Sequence, residues 1–273
     1  MKNYKIVVLY DLDNSSHSIL KSTVSLAQMI HGKIDVFSVK SAMDTIKREN
    51  QLSANRTIHS ERNAMDKKMR SLIEPLSLQY GIDISHSLAI GNVKNEITDF
   101  IEKRQPDIVV LGKRKEKLLN FIGDKITQYI LNTFKGTIMI VTENNILEPN
   151  KEISLGMLNN LEPSIKLEFA DELMEHSQKP LKSFKIIQNS NLLKEVPEPR
   201  NKKNIEYVFE NGEGAINGLS NYLSKNKINL LYVDRAKKSP NAKVNLIKAD
   251  IRDIVNKLNV TLLITGDGNY DLQ

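Results

Sequence analysis

Short runs of β-branched apolar residues alternate with segments of helical periodicity through the first 142 residues, and this alternation restricts the fold more than any other feature. Each run has the length and composition of a strand buried on both faces. Apolar residues spaced three and four apart predict a helix in each interval between them. Strands joined through helices run parallel, so we expect a five-stranded α/β domain with helices on both faces of the sheet. The predicted strands are residues 5–9, 34–39, 82–89, 107–112 and 137–141.

The pattern restarts after residues 143–151, a turn-rich stretch containing Pro149 that we interpret as a linker. The second copy repeats the segment that ends in the fourth apolar run, namely a glycine, a predicted helix and then the strand. A repeat this long indicates a duplicated domain, since solenoid repeats span only about 20–50 residues. We therefore predict domains at 1–142 and 152–273, the second shorter. The matching positions are Gly91, Ile97, Phe100, Ile101 and 107–111 with Gly212, Leu219, Tyr222, Leu223 and 229–233.

Composition limits the available chemistry. The 273 residues include no cysteine, which excludes disulfides, thiolate metal sites and a cysteine nucleophile. The formal net charge of +6 is too small on this length to indicate nucleic-acid binding by itself. No apolar run approaches the ~18 residues of a membrane span, and no targeting segment is visible. We therefore expect a cytoplasmic protein without membrane contact.

In open parallel sheets, ligands bind beyond the carboxyl ends of the strands, where the strand order reverses. The first loop at such a position, residues 13–18, begins with Asp13 and contains three serines and His17. Two interpretations are open. The carboxylate and hydroxyls face a ligand, or these residues only cap the following helix, with His17 solvated in its first turn.

The loop after the fourth strand begins at Gly112 and is strongly basic, with Lys113, Arg114, Lys115 and Lys117. A strand, a glycine-bearing loop and a helix start can form an anion site, because backbone N–H groups point at the ligand. The loop matches neither the Walker motif nor G-x-G-x-x-G. The alternative interpretation is a solvated basic loop.

Together these features resemble the universal stress protein family, over nearly the whole chain and more closely in residues 1–142. The resemblance implies two tandem Rossmann-like domains of the adenine nucleotide alpha hydrolase-like fold. Family members that bind ATP carry an Asp after the first strand, a residue after the second strand whose backbone meets adenine, and G-x2-G-x9-G-[S/T] after the fourth. These positions fall on Asp13, Val39, Gly112 and Lys115, and on Gly123 and Asp124 with seven rather than nine residues between the second and third motif positions.

Two departures from that motif weaken the nucleotide site that the resemblance implies. Lys115 replaces a glycine and keeps backbone farther from a phosphate, although its ammonium, like that of Lys113, can contact a phosphate instead. Asp124 replaces Ser or Thr, and its carboxylate repels a polyphosphate unless a metal bridges the two. The resemblance thus implies a degenerate site for ATP or another adenine nucleotide, with Mg²⁺.

The C-terminal copy departs further from the family pattern. Asn159 stands where the first strand's acidic residue would be, and the loop after its fourth strand is basic rather than glycine-rich, with Arg235, Lys237, Lys238 and later Lys243. We expect this domain to act mainly as a packing partner. The resemblance implies that the two domains pair through their fifth strands, and leaves a further homodimer open.

The sequence favours binding over catalysis. Its five histidines are scattered without metal-ligand spacing, and it contains no G-x-S-x-G nucleophile elbow, which leaves at most weak ATP hydrolysis. We therefore expect a stress-response protein that acts through ligand binding. The rival is a ligand-free interaction scaffold. Nucleic-acid binding is disfavoured because neither basic cluster contains aromatic residues.

Overall fold

The computed structural model describes residues 2–13, 16–42, 51–113, 122–158, 167–187, 204–210, 214–234 and 251–265. The strands in chain order are β1 (Lys5–Leu9), β2 (Lys33–Ser41), β3 (Ile84–Gly91), β4 (Ile108–Gly112), β5 (Thr137–Val141), β6 (Leu155–Leu158), β7 (Leu181–Ile187), β8 (Asn204–Glu210), β9 (Leu230–Val233) and β10 (Thr261–Ile264). The helices are α1 (His17–Ile30), α2 (Gln51–Tyr80), α3 (Val93–Arg104), α4 (Ile122–Thr133), α5 (Ala170–Glu175), α6 (Ala215–Lys225) and α7 (Ile251–Lys257). No helix within these ranges is long and apolar enough to cross a bilayer.

The ten strands within the described ranges belong to one sheet, in the order β3-β2-β1-β4-β5-β10-β9-β6-β7-β8. Strands β1 to β5 are parallel to one another, and so are β6 to β10. If β6 to β10 are taken to correspond to β1 to β5 in the same order, the order of strands across the sheet is symmetric about its centre. The predicted α/β class with parallel five-stranded arrangements is confirmed.

The two halves of the sheet meet at β5 and β10, which run antiparallel. Leu263 lies opposite Met139 in this pair, Leu262 lies opposite Ile140, and these side chains are at most 1% exposed. The strands on either side are equally apolar. The contact between the halves is therefore continuous β-sheet with core packing on both faces.

Alternate residues of the central strands enter two hydrophobic cores, one on each face of the sheet, as two-sided burial requires. In β4, Ile108 and Val110 enter the core beneath α1, α2 and α5, while Val109 and Leu111 enter the core beneath α3, α4, α6 and α7. Each core includes residues of both halves. The predicted covering of both sheet faces is thus confirmed.

Residues 143–151 connect the halves but are packed rather than free. Leu147 is fully buried, and its backbone N–H donates to the Ser22 hydroxyl of α1 at 3.0 Å. Lys21 pairs with Glu148 at 2.8 Å, and this hydrogen bond lowers the pKa of Glu148. On the other side, Asn145 donates to the Ile228 carbonyl oxygen at 2.8 Å. The connection therefore belongs to the core.

Three helices can be compared with the sequence pattern. The apolar spacing before Gly32 predicts that the first helix ends at this glycine; α1 ends at Ile30, and the next residue, His31, takes the left-handed conformation (φ 55°), while Gly32 leaves room for the Ile6 side chain. The pattern predicts a helix from Asn55 to Tyr80 in which Pro75 marks a kink or an early end; Pro75 lies inside α2, which continues to Tyr80. Residues 163–176, also predicted to be helical, form a helix over Ala170–Glu175, and the first of them lie outside the described ranges.

Candidate functional site

The carboxyl ends of β1 and β2 and the facing side of α2 enclose a cavity of about 240 Å³. It lies beside the strand-order switch of the N-terminal half, because β1 has β2 on one side and β4 on the other. The cavity is lined by Asp11, Leu12, Asp13, Ser38, Val39, Lys40, Glu61, Ala64, Met65 and Lys68.

The sheet side of the cavity is built by the turn after β1 and the last residues of β2. The backbone N–H of Asp13 donates to the Asp11 carboxylate at 3.0 Å, which fixes the turn. The Tyr10 N–H donates to the Phe37 carbonyl oxygen at 2.9 Å and keeps the two strand ends in register. Val39 is half-buried, and Asp13 is exposed to solvent at the rim.

The helix side of the cavity comes from one face of α2. Its four lining residues follow the spacing i, i+3, i+4, i+7, which places them in one row along a helix: Glu61, Ala64, Met65 and Lys68. Met65 is buried, which anchors this row against the sheet.

The outer side of α2 is tied to the neighbouring strand β3 through Asp66. Its carboxylate lies 2.7 Å from the His86 Nε2, and the Arg70 guanidinium donates to it at 2.8 Å. These hydrogen bonds, from His86 first and then from Arg70, lower the pKa of Asp66. The contact between Asp66 and His86 therefore fixes α2, which forms one side of the cavity, against β3.

Two ion pairs cross between α2 and the strand ends. The Lys68 ammonium lies 3.1 Å from the Asp13 carboxylate, and Lys40 pairs with Glu61. The helix supplies the cation in one pair and the anion in the other. Glu61 and Lys68 are seven residues apart, so the two pairs lie about 10 Å apart along the helix axis.

The structure brings together two of the predicted site residues, Asp13 and Val39, in the cavity lining. Gly112 ends β4, the strand next to β1, and does not line the cavity. Lys115 lies outside the described residues. Gly123 and Asp124 fall in the first turn of α4, and their side-chain environment also lies outside the described part of the chain.

Gly112 is required for close packing rather than for backbone conformation. A Cβ atom at this position would lie 2.3 Å from the Cδ1 atom of Ile19, a buried residue of α1. Among the described glycines, Gly81 is the one with a positive φ. The glycine thus lets α1 approach the end of β4.

We expect Gly112→Ala to lower the free energy of unfolding by about 1–3 kcal/mol, because overpacking displaces Ile19. The same change made in an Ile19→Val background, which lacks the clashing Cδ1 atom, should cost about 1 kcal/mol less. Urea denaturation of the four proteins measures this coupling. Equal costs in both backgrounds would contradict the packing role.

Lys113 connects the loop after β4 to the C-terminal half. Its ammonium donates to the carbonyl oxygens of Asn256 and Leu258, both at 2.9 Å. These carbonyls lie at the C-terminal end of α7, where a cation is favoured by the helix dipole. The sequence suggests that the Lys113 ammonium contacts a phosphate, whereas in the structure it donates to backbone carbonyls.

We expect Lys113→Met to lower the free energy of unfolding by about 1–2 kcal/mol, because two charge-assisted hydrogen bonds between the halves are lost. Urea denaturation measures the change. Lys135→Met, at an exposed lysine before β5, is the control and should stay within about 0.5 kcal/mol of the wild type. Indistinguishable variants would show that the contact contributes nothing to stability.

The loop between β1 and α1 has a mixed role. Ser16 occupies the N-cap position of α1, but its hydroxyl contacts that of Ser18 instead of a backbone N–H. His17 is exposed in the first turn, as expected. Ser18 is buried. Ser16 and Ser18 therefore contact each other at the start of the helix and do not line the cavity.

The equivalent loops of the C-terminal half are described only in part. Asp234 follows β9, and its carboxylate accepts a hydrogen bond from the Thr265 hydroxyl at 3.1 Å. The predicted positions at Asn159, Arg235, Lys237, Lys238 and Lys243 lie outside the described residues. Within the described ranges, no group of three or more His, Asp or Glu side chains could hold a metal ion.

The sequence prediction missed the contribution of α2 to the site. Lys68 is 55 residues from Asp13, and nothing in its local sequence separates it from other exposed lysines. The signal that could have identified it is the row of residues at helical spacing that includes buried Met65.

A parallel sheet covered by helices on both faces, with a cavity at the strand-order switch, defines the doubly wound α/β class. The family model for the universal stress protein family matches residues 2–142. The chain therefore belongs to the universal stress protein family.

Solved structures with the same fold extend over both halves. A universal stress protein from Archaeoglobus fulgidus superposes with a TM-score of 0.65 at 11% identity, covering 96% of this chain and 98% of that one. A protein of unknown function from Pseudomonas aeruginosa PAO1 gives 0.59 at 11% identity, covering 96% and 92%. No curated protein matches the sequence. At such identities the likeness concerns the fold alone.

Proposed function

We propose that this chain is a stress-response protein of the cytoplasm that acts by binding an adenine nucleotide, rather than by catalysis, in the cavity between β1, β2 and α2. The observation that carries the proposal is that Asp13 and Val39, widely separated in sequence, line one cavity at the strand-order switch. These are the positions that contact the ligand in ATP-binding family members.

The size of the cavity restricts which part of a ligand it takes. Pockets for drug-sized ligands are roughly 300–1,000 Å³, and this one is about 240 Å³. We assign it to the base and sugar of the nucleotide. The phosphate end, with any Mg²⁺, is assigned to the side of Gly112 and to Lys115, Gly123 and Asp124, a proposal that rests on sequence alone.

We further propose that the halves are tandem domains, 1–142 and 152–273, joined by residues 143–151, with the second acting as a packing partner. The strand order, which reads the same from both ends, supports a duplication. The antiparallel β5–β10 pair supports an internal pairing of the two domains. Lys113 adds a polar contact between them.

A thermal shift experiment with ATP, ADP, AMP and cyclic AMP, with and without Mg²⁺, tests nucleotide binding. A ligand at ten times its Kd stabilises the folded state by about 1.4 kcal/mol, which should raise Tm by about 3 °C for a chain of this size. Ala64→Trp should abolish the shift, because Ala64 lines the cavity and is itself exposed, so the larger ring fills the space without entering the core.

Asn63→Trp, at the adjacent exposed position that does not line the cavity, is the matched control and should keep the shift. Absence of any shift with millimolar nucleotide would refute the proposal and favour the ligand-free scaffold. A shift that survives in Ala64→Trp would place the nucleotide elsewhere.

A further inference from the structure

We infer that Lys68 is the residue that binds the anionic group of the ligand and makes the cavity selective for nucleotides over nucleosides. The inference rests on the proposed function and extends it, since no position of the family motif falls on this helix residue. It assigns to α2 part of the phosphate contact that the motif would place after β4.

The position of Lys68 supports this role. It lies two helical turns beyond Glu61 on the row of α2 that lines the cavity, and its ammonium reaches across to the end of β1, 3.1 Å from the Asp13 carboxylate. An ammonium has three donors, so it can keep one contact to Asp13 and offer others to a ligand.

The charges of the described lining residues favour such a cation for an anionic ligand. Among these residues, carboxylates on Asp11, Asp13 and Glu61 stand against the two ammonium groups of Lys40 and Lys68. Lys40 is already paired with Glu61. Without the charge of Lys68, a phosphate beside these described residues would face a surplus of negative charge.

The existing pair with Asp13 costs little to rearrange. The Lys68 and Asp13 side chains are 51% and 66% exposed, and exposed ion pairs contribute only about 0–1 kcal/mol. A ligand phosphate can therefore draw the ammonium away from Asp13. The carboxylate released in this way becomes available to accept hydrogen bonds from ligand hydroxyls.

Lys113, the other described lysine considered for phosphate contact, is less suited to the task. Its ammonium already donates to two carbonyl oxygens of the C-terminal half. Moving it would leave those helix-end carbonyls without that cation. Within the described part of the chain, the contact recorded for the Lys68 ammonium is its exposed pair with Asp13.

Isothermal titration calorimetry with adenosine and AMP tests the inference on the full chain, at two salt concentrations, in the wild type and in Lys68→Met, Lys68→Arg and Lys67→Met. We expect the wild type to bind AMP at least tenfold more tightly than adenosine. Lys68→Met should lose about tenfold in AMP affinity and most of its salt dependence, with adenosine affinity unchanged within twofold. Lys68→Arg should retain the AMP preference, and Lys67→Met, at the adjacent exposed lysine, should behave as wild type.

An AMP preference that is unchanged in Lys68→Met would overturn the inference. So would an equal loss of adenosine and AMP affinity, because a purely structural role weakens both. If the wild type binds adenosine and AMP equally, the cavity stands and the role of Lys68 falls. If the wild type binds neither, the proposed function falls and the inference falls with it.

Discussion

We expect Leu263→Asp to destabilise both halves of the chain strongly. Leu263 is fully buried in β10 opposite Met139 of β5, and both belong to the core beneath α1, α2 and α5. A carboxylate there must be buried without a partner or expel the strand from the sheet. The expected loss exceeds about 4 kcal/mol, a large part of the roughly 5–15 kcal/mol that stabilises a typical domain.

Circular dichroism during thermal and urea unfolding measures this effect. Leu263→Met, which nearly conserves volume, is the matched control and should cost less than about 1.5 kcal/mol. Because each core contains residues of both halves, we expect the wild type to unfold in one transition. A Leu263→Asp protein whose N-terminal half keeps a normal transition would show that the halves fold independently.

The second large effect is expected at the segment that the sequence predicts to be a linker. Leu147→Ala should lower the free energy of unfolding by about 2–5 kcal/mol, because Leu147 is fully buried and its truncation leaves a cavity. A leucine in a flexible linker would be nearly neutral to the same change. Urea denaturation distinguishes these two descriptions of residues 143–151.

Asn144→Ala is the control within the same segment, since Asn144 is exposed. We expect it to remain within about 0.5 kcal/mol of the wild type. A Leu147→Ala protein as stable as Asn144→Ala would mean that the connection does not contribute to the core.

Much of the fold could be predicted from the sequence because buried parallel strands leave a strong local signal. The runs at Lys5–Leu9 and Thr137–Val141 coincide with β1 and β5 at both ends. Helix ends were less certain, since the left-handed residue after α1 is His31 and not the adjacent glycine. Burial of Leu147 could not be predicted, because it depends on contacts with a helix more than a hundred residues away.

The candidate site divides in the same way. Asp13 was identified because the ends of parallel strands lie at one edge of the sheet, and Val39 because the family resemblance places a ligand contact at the end of the second strand. Lys68 was not, because its partner is brought to it by the tertiary packing of α2. For Lys113 only the charge and the position after the fourth strand can be predicted from the sequence, because its hydrogen-bond acceptors lie in the other half of the protein.

Because β5 and β10 pair in antiparallel orientation, the strands of the two halves run in opposite directions. The carboxyl ends of β1 and β4 emerge at one edge of the sheet and those of β6 and β9 at the other. Four strands separate β1 from β6, so these two strands lie about 24 Å apart across the sheet at the usual strand spacing. Since their carboxyl ends also lie at opposite edges, a single small molecule cannot bridge the two ends.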